Sequence, residues 1–368
     1  MKHISLRPAW TIQDDDGPPL STRLIELLVR VHTEGNLSSA AKAMGLSYRH
    51  AWDLVRQGES HFGSPLLRME RGKGSTLTDL GEKIVWADHR IMARLKPALD
   101  SLASELAAEL HRTLEDAVPM LRVHASHGFA VEQLMERLQD TGLRVELTYG
   151  SSSGAASAIR EGDCDVAGFH IPEGEMEAVA LAHYRPWLTE AELVVIDIAR
   201  RVQGLMVRGG NPLNIQRLSD IGRGDVRFIN RQAGSGTRLL LEGLLQREGI
   251  LPASISGFEQ GEYTHAAVAA YVASGMADVG FGLEPPAHQF KLDFIPIATE
   301  RYFLLCRSDR LNSPTIQRLV EALSEEEFRA VLTGLPGYDP AHAGEVMPLR
   351  DRYPQLFTPT ATATPRSP

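Results

Sequence analysis

A chain of 368 residues exceeds one ordinary domain and predicts two or three. With 43% hydrophobic and 23% charged residues it has the composition of a soluble globular protein, and a formal net charge of −9 excludes a uniformly nucleic-acid-coating surface while leaving room for a local basic face. Only Cys164 and Cys306 are present, far apart and in no metal-like spacing, so no disulfide framework and no cysteine metal site are expected, as in a reducing compartment.

The opening residues lack the apolar core of a signal peptide and no run reaches membrane-spanning length, so a cytoplasmic protein without a membrane partner is expected. Residues 1–20, with Asp14-Asp15-Asp16-Gly17-Pro18-Pro19, predict a flexible arm. Residues 21–78 read as short helices and turns, and residues 79–118 as one long linker helix ended by Pro119. Residues 119–340 alternate short apolar strands with amphipathic helices, an α/β pattern. Residues 341–368 predict a tail that is partly disordered. The expected fold class is therefore multidomain, an α-rich N-terminal region followed by a two-lobed α/β domain.

The stretch GNLSSAAKAMGLSYRHAWDLV carries the sharpest motif. Leu37, Ala40, Ala41 and Met44 recur at helical spacing, with Asn36 or Ser38 available as a cap. Gly45 supplies a left-handed turn, Ser47 caps a second helix, and Ala51, Trp52 and Val55 face inward, Trp52 as an anchor of this helix in the core. Tyr48, Arg49, His50 and Arg56 remain for the outside, which makes a helix-turn-helix with a recognition helix. A hairpin then runs from Leu66 to Thr78, its glycine-flanked Lys73 joined by Arg68 and Arg71 in local positive charge that suits phosphates beside a groove. Ser38, Ser47, Tyr48, Arg49, His50, Arg56, Arg71 and Lys73 are the candidate contacts to double-stranded operator DNA.

GLSYRHAWDLV followed by RGKGSTLTDLGEKIV resembles the winged-helix domain of molybdate-responsive repressors of the ModE type, itself related to LysR-type regulators. The resemblance covers roughly residues 20–110 and implies a dimer on a palindromic operator. In the long helix Leu95, Leu99, Leu102, Leu106 and Leu110 step by four and three, the pattern of a coiled-coil seam, so a homodimer or a dimer of dimers is expected.

Four strand-to-helix junctions in residues 119–340 place small hydroxyl residues where the free N–H groups of a helix start lie. They are Ser126 and His127, then Ser151, Ser152 and Ser153, then the loop NRQAGSGTR, then Tyr263, Thr264 and His265. In the loop the candidates are Asn230, Arg231, Gly234, Ser235, Gly236, Thr237 and Arg238. Converging at the carboxyl ends of strands, these junctions predict one ligand cleft for an anion. GDCDVAGFHIP and GMADVGFGL repeat one phrase, and with NRQAGSGTR they resemble periplasmic-binding-protein-like domains related to molybdate-binding proteins. The resemblance implies lobe hinges near Gly204-Leu205-Met206-Val207-Arg208 and Glu300-Arg301-Tyr302.

That resemblance implies an oxyanion effector, molybdate or tungstate first, with no cofactor and no metal. Nothing in the chain resembles the small β-barrel repeats that usually bind the oxyanion in molybdate-responsive repressors. Arg231 and Arg238 border the loop, and an arginine pointing inward would favour a small carboxylate such as formate, or a pterin-phosphate species. No catalytic set is evident: the G-x-S-x-G spacing and the phosphate-loop ending are both missing. An enzyme acting on the ligand and a transport receptor are the weaker alternatives to a ligand-controlled regulator.

Overall fold

The computed structural model describes residues 4–15, 17–70, 74–114, 119–189 and 192–358. These form two compact units, one of Arg7–Lys96 and one of the residues from Pro97 onward together with those before Arg7. In the first unit come α1 (Thr22–Glu34), α2 (Leu37–Ala43), α3 (Tyr48–Phe62), β1 (Leu67–Glu70), β2 (Gly74–Leu77) and the start of α4 (Asp79–Leu114).

Local chemistry sets the helix-turn-helix. The Asn36 carboxamide accepts from the N–H of Ser39 at 2.8 Å and starts α2, so Asn36 rather than Ser38 is the cap. Gly45, at φ +65°, turns the chain, and the Ser47 hydroxyl accepts from the N–H of His50 at 3.2 Å to start α3. Leu27, Leu28, Leu37, Ala51, Val55 and Leu66 are fully buried between the three helices and the hairpin, and Trp52 packs half-buried against them. β1 and β2 pair antiparallel from Leu67↔Leu77 to Glu70↔Gly74, and the Ser75 hydroxyl accepts the N–H of Leu37, tying hairpin to α2. The expected tip residues Arg71 and Lys73 lie outside the described residues.

The expected flexible arm needs correction. Trp10 donates its indole N–H to Asp88 at 2.8 Å, Leu20 pairs with Ile12 through the backbone, and Trp10 and Leu20 pack on the helical core. Two apolar side chains in a polar stretch hold it down.

α4 runs unbroken over 36 residues although Pro97 lies inside it and removes one N–H rung. Thr78 caps its start. Beyond Pro97, Leu102, Leu106 and Leu110 stay exposed while Ala103 and Ala108 are buried. Ser101 and Ser104 accept the N–H groups of Tyr149 and Leu147 at 2.9 and 2.7 Å. Those N–H groups belong to a strand at the sheet edge, and the serines cover that edge.

The second unit continues with β3 (Met120–Ala125), α5 (Phe129–Asp140), β4 (Arg144–Tyr149), α6 (Ser152–Glu161), β5 (Val166–Pro172), α7 (Glu175–Leu188) and β6 (Leu193–Val207). Then follow β7 (Phe228–Arg231), α8 (Gly236–Glu248), β8 (Gly261–Glu262), α9 (His265–Ala273), β9 (Val279–Leu283), α10 (Glu284–Gln289) and β10 (Asp293–Arg307). The chain closes with α11 (Pro314–Ser324), α12 (Glu326–Thr333), β11 (Tyr338–Asp339), β12 (Val346–Pro348) and α13 (Leu349–Arg352). The sheet order is β4-β3-β5-β10-β6-β9-β7-β8, with β11 and β12 also on β6.

Parallel β4-β3-β5 makes one lobe and parallel β9-β7-β8 the other. Between them β6 and β10 pair antiparallel along their whole length. The repeated phrase performs the same task twice. Asp165 accepts the N–H of Arg122 and pairs with its guanidinium, and Asp278 does the same for Arg227. Each aspartate thus locks the start of one lobe's first strand to its neighbour. The crossover of β10 falls at the expected Glu300-Arg301-Tyr302. That of β6 falls at Arg201–Gln203, earlier than expected, because Gly204–Val207 already pair with β9.

Residues 341–358 correct the expected tail. β12 pairs with Val194–Ile196, and Leu349, Tyr353 and Leu356 are buried against lobe one, so these apolar residues complete the core.

Candidate functional site

On the helix-turn-helix, Ser38, Ser47, Tyr48, Arg49, His50 and Arg56 all lie exposed, on α2 and the first half of α3. Tyr48 meets Trp52 edge-on, centroids 6.3 Å apart, which braces the start of α3. The exposed face therefore offers two guanidiniums, an imidazole and hydroxyls, the donors and acceptors that meet base edges and phosphates.

In the second unit the four junctions open onto one cleft of about 100 Å³. Ser126 and His127 come from the end of β3, Tyr149, Gly150 and Ser151 from the end of β4, Arg231, Gln232, Ser235, Gly236 and Thr237 from the end of β7 and the junction after it, and Tyr263 and His265 from the junction after β8. Pro97 of α4, His170 of β5 and Arg201 of β6 complete the wall. The starts of α6 and α8 aim backbone N–H groups this way, each capped by a cleft serine, Ser151 on Gly154 and Ser235 on Arg238.

Two guanidiniums dominate the electrostatics. Arg201 pairs with Glu300 at 2.5 Å, both buried, and lies 4.3 Å over the Tyr302 ring. Glu300 also accepts from Gln203 at 2.7 Å and from His170 Nδ1 at 2.9 Å. Burial alone would raise the Glu300 carboxyl, but Arg201 and His170 hold it down at about 2. Arg231 is buried and donates only to the backbone carbonyls of Glu262 and Tyr263; among the described residues it has no carboxylate partner. Burial and the neighbouring Arg201 lower its guanidinium to about 10. Both guanidiniums face the cleft, and the buried Glu300 and Glu262 carboxylates oppose the lowering of Arg231.

Burial, then Arg231 and Arg201, push His265 well below its ordinary value, so it is neutral near pH 7. Its Nδ1 accepts the N–H of Leu283 at 3.2 Å, so the proton is assigned to Nε2, which can donate. His170 lies between Glu300, 2.9 Å from Nδ1, and the Ser152 hydroxyl, 3.2 Å from Nε2.

Ser126, His127, Ser151, Arg231, Ser235, Gly236, Thr237, Tyr263 and His265 are therefore brought together. Ser152, Ser153, Asn230, Gly234, Arg238 and Thr264 do not line the cleft. Ser152 is spent on His170, Ser153 sits 3.1 Å from the Ser151 hydroxyl, and Asn230 bonds the Phe258 carbonyl. Gly234, at φ +79°, only makes the turn, and the Thr264 hydroxyl caps α9. Arg238 turns away to Glu242 and Glu259 and lies 4.9 Å over Phe258.

Sequence reasoning placed Tyr149, Gly150 and Gln232 in the junctions without making them contacts, and it missed Pro97, His170 and Arg201. One signal was available: Arg200-Arg201 interrupts the apolar run LVVIDIARRVQGLMV, and Glu300 interrupts another, where charges are tolerated only when paired.

Gly236 is where a backbone must approach closely. A Cβ there would lie 2.4 Å from His170 Cε1. Gly236→Ala is expected to displace His170 from Glu300 and cost about 1–3 kcal/mol, measured by urea unfolding.

A family model for the PBP superfamily domain matches residues 132–324, more than half of the chain, and one for the bacterial regulatory helix-turn-helix protein, lysR family, matches residues 22–82. The chain belongs to the PBP superfamily and is a LysR-type DNA-binding transcription regulator with a ligand-binding domain. It is similar to "Uncharacterized protein YvgK" of Bacillus subtilis, 33% identical over 216 residues, 59% of this chain and 68% of that protein. It is also similar to the molybdenum transport protein ModE of Azotobacter vinelandii, 33% identical over 100 residues. With the molybdenum-pterin-binding protein MopB of Rhodobacter capsulatus it shares 27% over 150 residues. Those two matches span 26% and 39% of this chain, and 37% and 54% of the respective relatives. Among solved structures, CbnR, a LysR family transcriptional regulator, aligns with a TM-score of 0.38 at 18% identity, covering 82% of this chain and 98% of that one.

Proposed function

We propose that the chain senses a small oxyanion in the cleft between its lobes and thereby controls operator binding as a cytoplasmic homodimer. The observation that carries the reading is the convergence of two buried guanidiniums, Arg201 and Arg231, on one cleft lined by hydroxyls and helix starts. An anion there meets two guanidiniums, the hydroxyls of Ser126, Ser151, Ser235 and Thr237, the Nε2–H of His265 and helix-start N–H groups. Molybdate or tungstate is the first choice of effector, supported by the ModE and MopB relatives. A carboxylate such as formate, or a pterin-phosphate species, is the second reading, favoured by the inward-facing Arg231. Homodimerisation draws on the exposed leucine stripe of α4, whose Leu95, Leu102, Leu106 and Leu110 are 40–53% exposed in the single chain. Among the described residues no helix is long and apolar enough to cross a membrane.

The DNA face is tested by gel shift with two variants, each with and without molybdate. Arg49→Ala should weaken operator binding by roughly 1–3 kcal/mol and relax preference among sites. Lys73→Ala should weaken all duplexes alike and flatten the salt dependence. Unchanged affinity in both folded variants would place the DNA contact elsewhere, and an operator complex indifferent to every anion tried would remove the sensing role.

A further inference from the structure

We infer that Asp100, His127 and Glu132 form a binding site for one divalent transition-metal ion, a reading that does not depend on the effector anion. One donor atom from each residue lies within 4.8 Å of the other two. The three come from separate parts of the second unit: Asp100 from α4 beyond Pro97, His127 from the loop after β3, and Glu132 from the first turn of α5. All three residues are half-buried, so the cluster is not a scatter of solvated charges.

The imidazole supplies the more telling observation. His127 Nε2 is buried and makes no hydrogen bond among the described residues, although Glu132 Oε1 lies only 3.0 Å away. The two atoms are close without being aligned. Neighbouring ligands of an octahedral ion, each about 2.1 Å from the metal, lie about 3.0 Å apart, so this separation suits two atoms that share an ion. The Tyr149 ring, with its centroid 4.9 Å from that of His127, holds the imidazole plane in place. Burial, then the carboxylates of Glu132 and Asp100, raise the Tyr149 phenol, as expected where negative charge collects.

One imidazole nitrogen and two carboxylate oxygens select borderline ions such as Zn²⁺, Co²⁺ or Ni²⁺ over Mg²⁺, which prefers oxygen and keeps its water, and over thiolate-seeking Cu⁺. Three protein ligands leave further positions for water or for an oxygen of a molecule in the cleft, which His127 also lines. The ion would tie α4 to the first lobe beside that cleft, which makes metal supply a second input to the same sensor.

The test uses the full chain, stripped with a chelator and titrated by calorimetry with ZnCl₂ and, separately, MgCl₂. One Zn²⁺ per chain is expected, at least tenfold weaker in Asp100→Asn and in Glu132→Gln, with far weaker binding of Mg²⁺. Thermal unfolding gives a second readout: Zn²⁺ should raise the midpoint of the unaltered chain and leave both variants unmoved. Formate or molybdate titrated in chelator should bind the two variants as it binds the unaltered chain, which separates loss of the metal from loss of the anion site. Stoichiometric Zn²⁺ binding that is equal in both variants, no Zn²⁺ binding at all, or equal affinity for Mg²⁺ would overturn the assignment.

Discussion

Arg201→Ala should cost the ligand-binding unit about 3–5 kcal/mol of stability, because it leaves the Glu300 carboxylate buried with its main counter-charge removed. Arg201→Ala combined with Glu300→Gln should recover much of that loss, since the stranded charge is then gone, whereas Glu300→Gln alone leaves the Arg201 guanidinium buried without its paired carboxylate. The dependence on pH follows from the carboxyl's position. Glu300 is held at about 2 in the folded chain against an ordinary 4.5, so its stabilisation is complete above 4.5 and is lost as pH falls from there towards 2. In Arg201→Ala that acid-side loss should shrink, because His170 and Gln203 alone oppose burial. Urea unfolding of the three variants at pH 7 and pH 4 reads both effects. A single variant as stable as the unaltered chain would show that Glu300 is neutralised by protonation, not by Arg201.

Leu102→Asp should convert a dimer into a monomer at micromolar concentration. Leu102 is 53% exposed in the single chain, and at a leucine seam an aspartate would be buried without a partner, a cost of several kcal/mol per interface counted twice by symmetry. Ser101 and Ser104, which hold α4 against β4, lie on another face of the helix and are left intact. Sedimentation velocity measures the outcome directly. A variant that stays dimeric moves the contact away from this stripe, and operator binding at full affinity by a monomer would remove the need for the seam.

The helix-turn-helix was legible because its signals are local: Asn36, Gly45 and Ser47 act on N–H groups within three residues of themselves. The same is true of the α/β pattern and of the Ser151 and Ser235 caps. What local reading could not supply is the direction of a side chain. Arg231 and Arg238 flank one loop symmetrically in sequence, yet β7 carries Arg231 into the cleft while the first turn of α8 sends Arg238 to Glu242 and Glu259. Ser151 and Ser152 differ by one residue, and that step changes a cleft hydroxyl into a partner for His170. Arg201, His170 and Glu300 were hidden for another reason. They lie more than 29 residues apart on three strands, and only the β5-β10-β6 order brings them together. The ordered residues 341–358 escaped notice because β12 draws its register from β6, not from its own sequence.

Arg231 and Arg201 together are expected to hold an anion in the cleft. Calorimetric titration of the full chain with molybdate, tungstate, sulfate, phosphate and formate, repeated on Arg231→Ala, tests it most directly. At least one anion should bind one per chain, and the variant should lose tenfold or more, since a charged hydrogen bond contributes about 1.5–3 kcal/mol. An anion that binds the unaltered chain and Arg231→Ala equally, or no anion binding to either, would contradict the account.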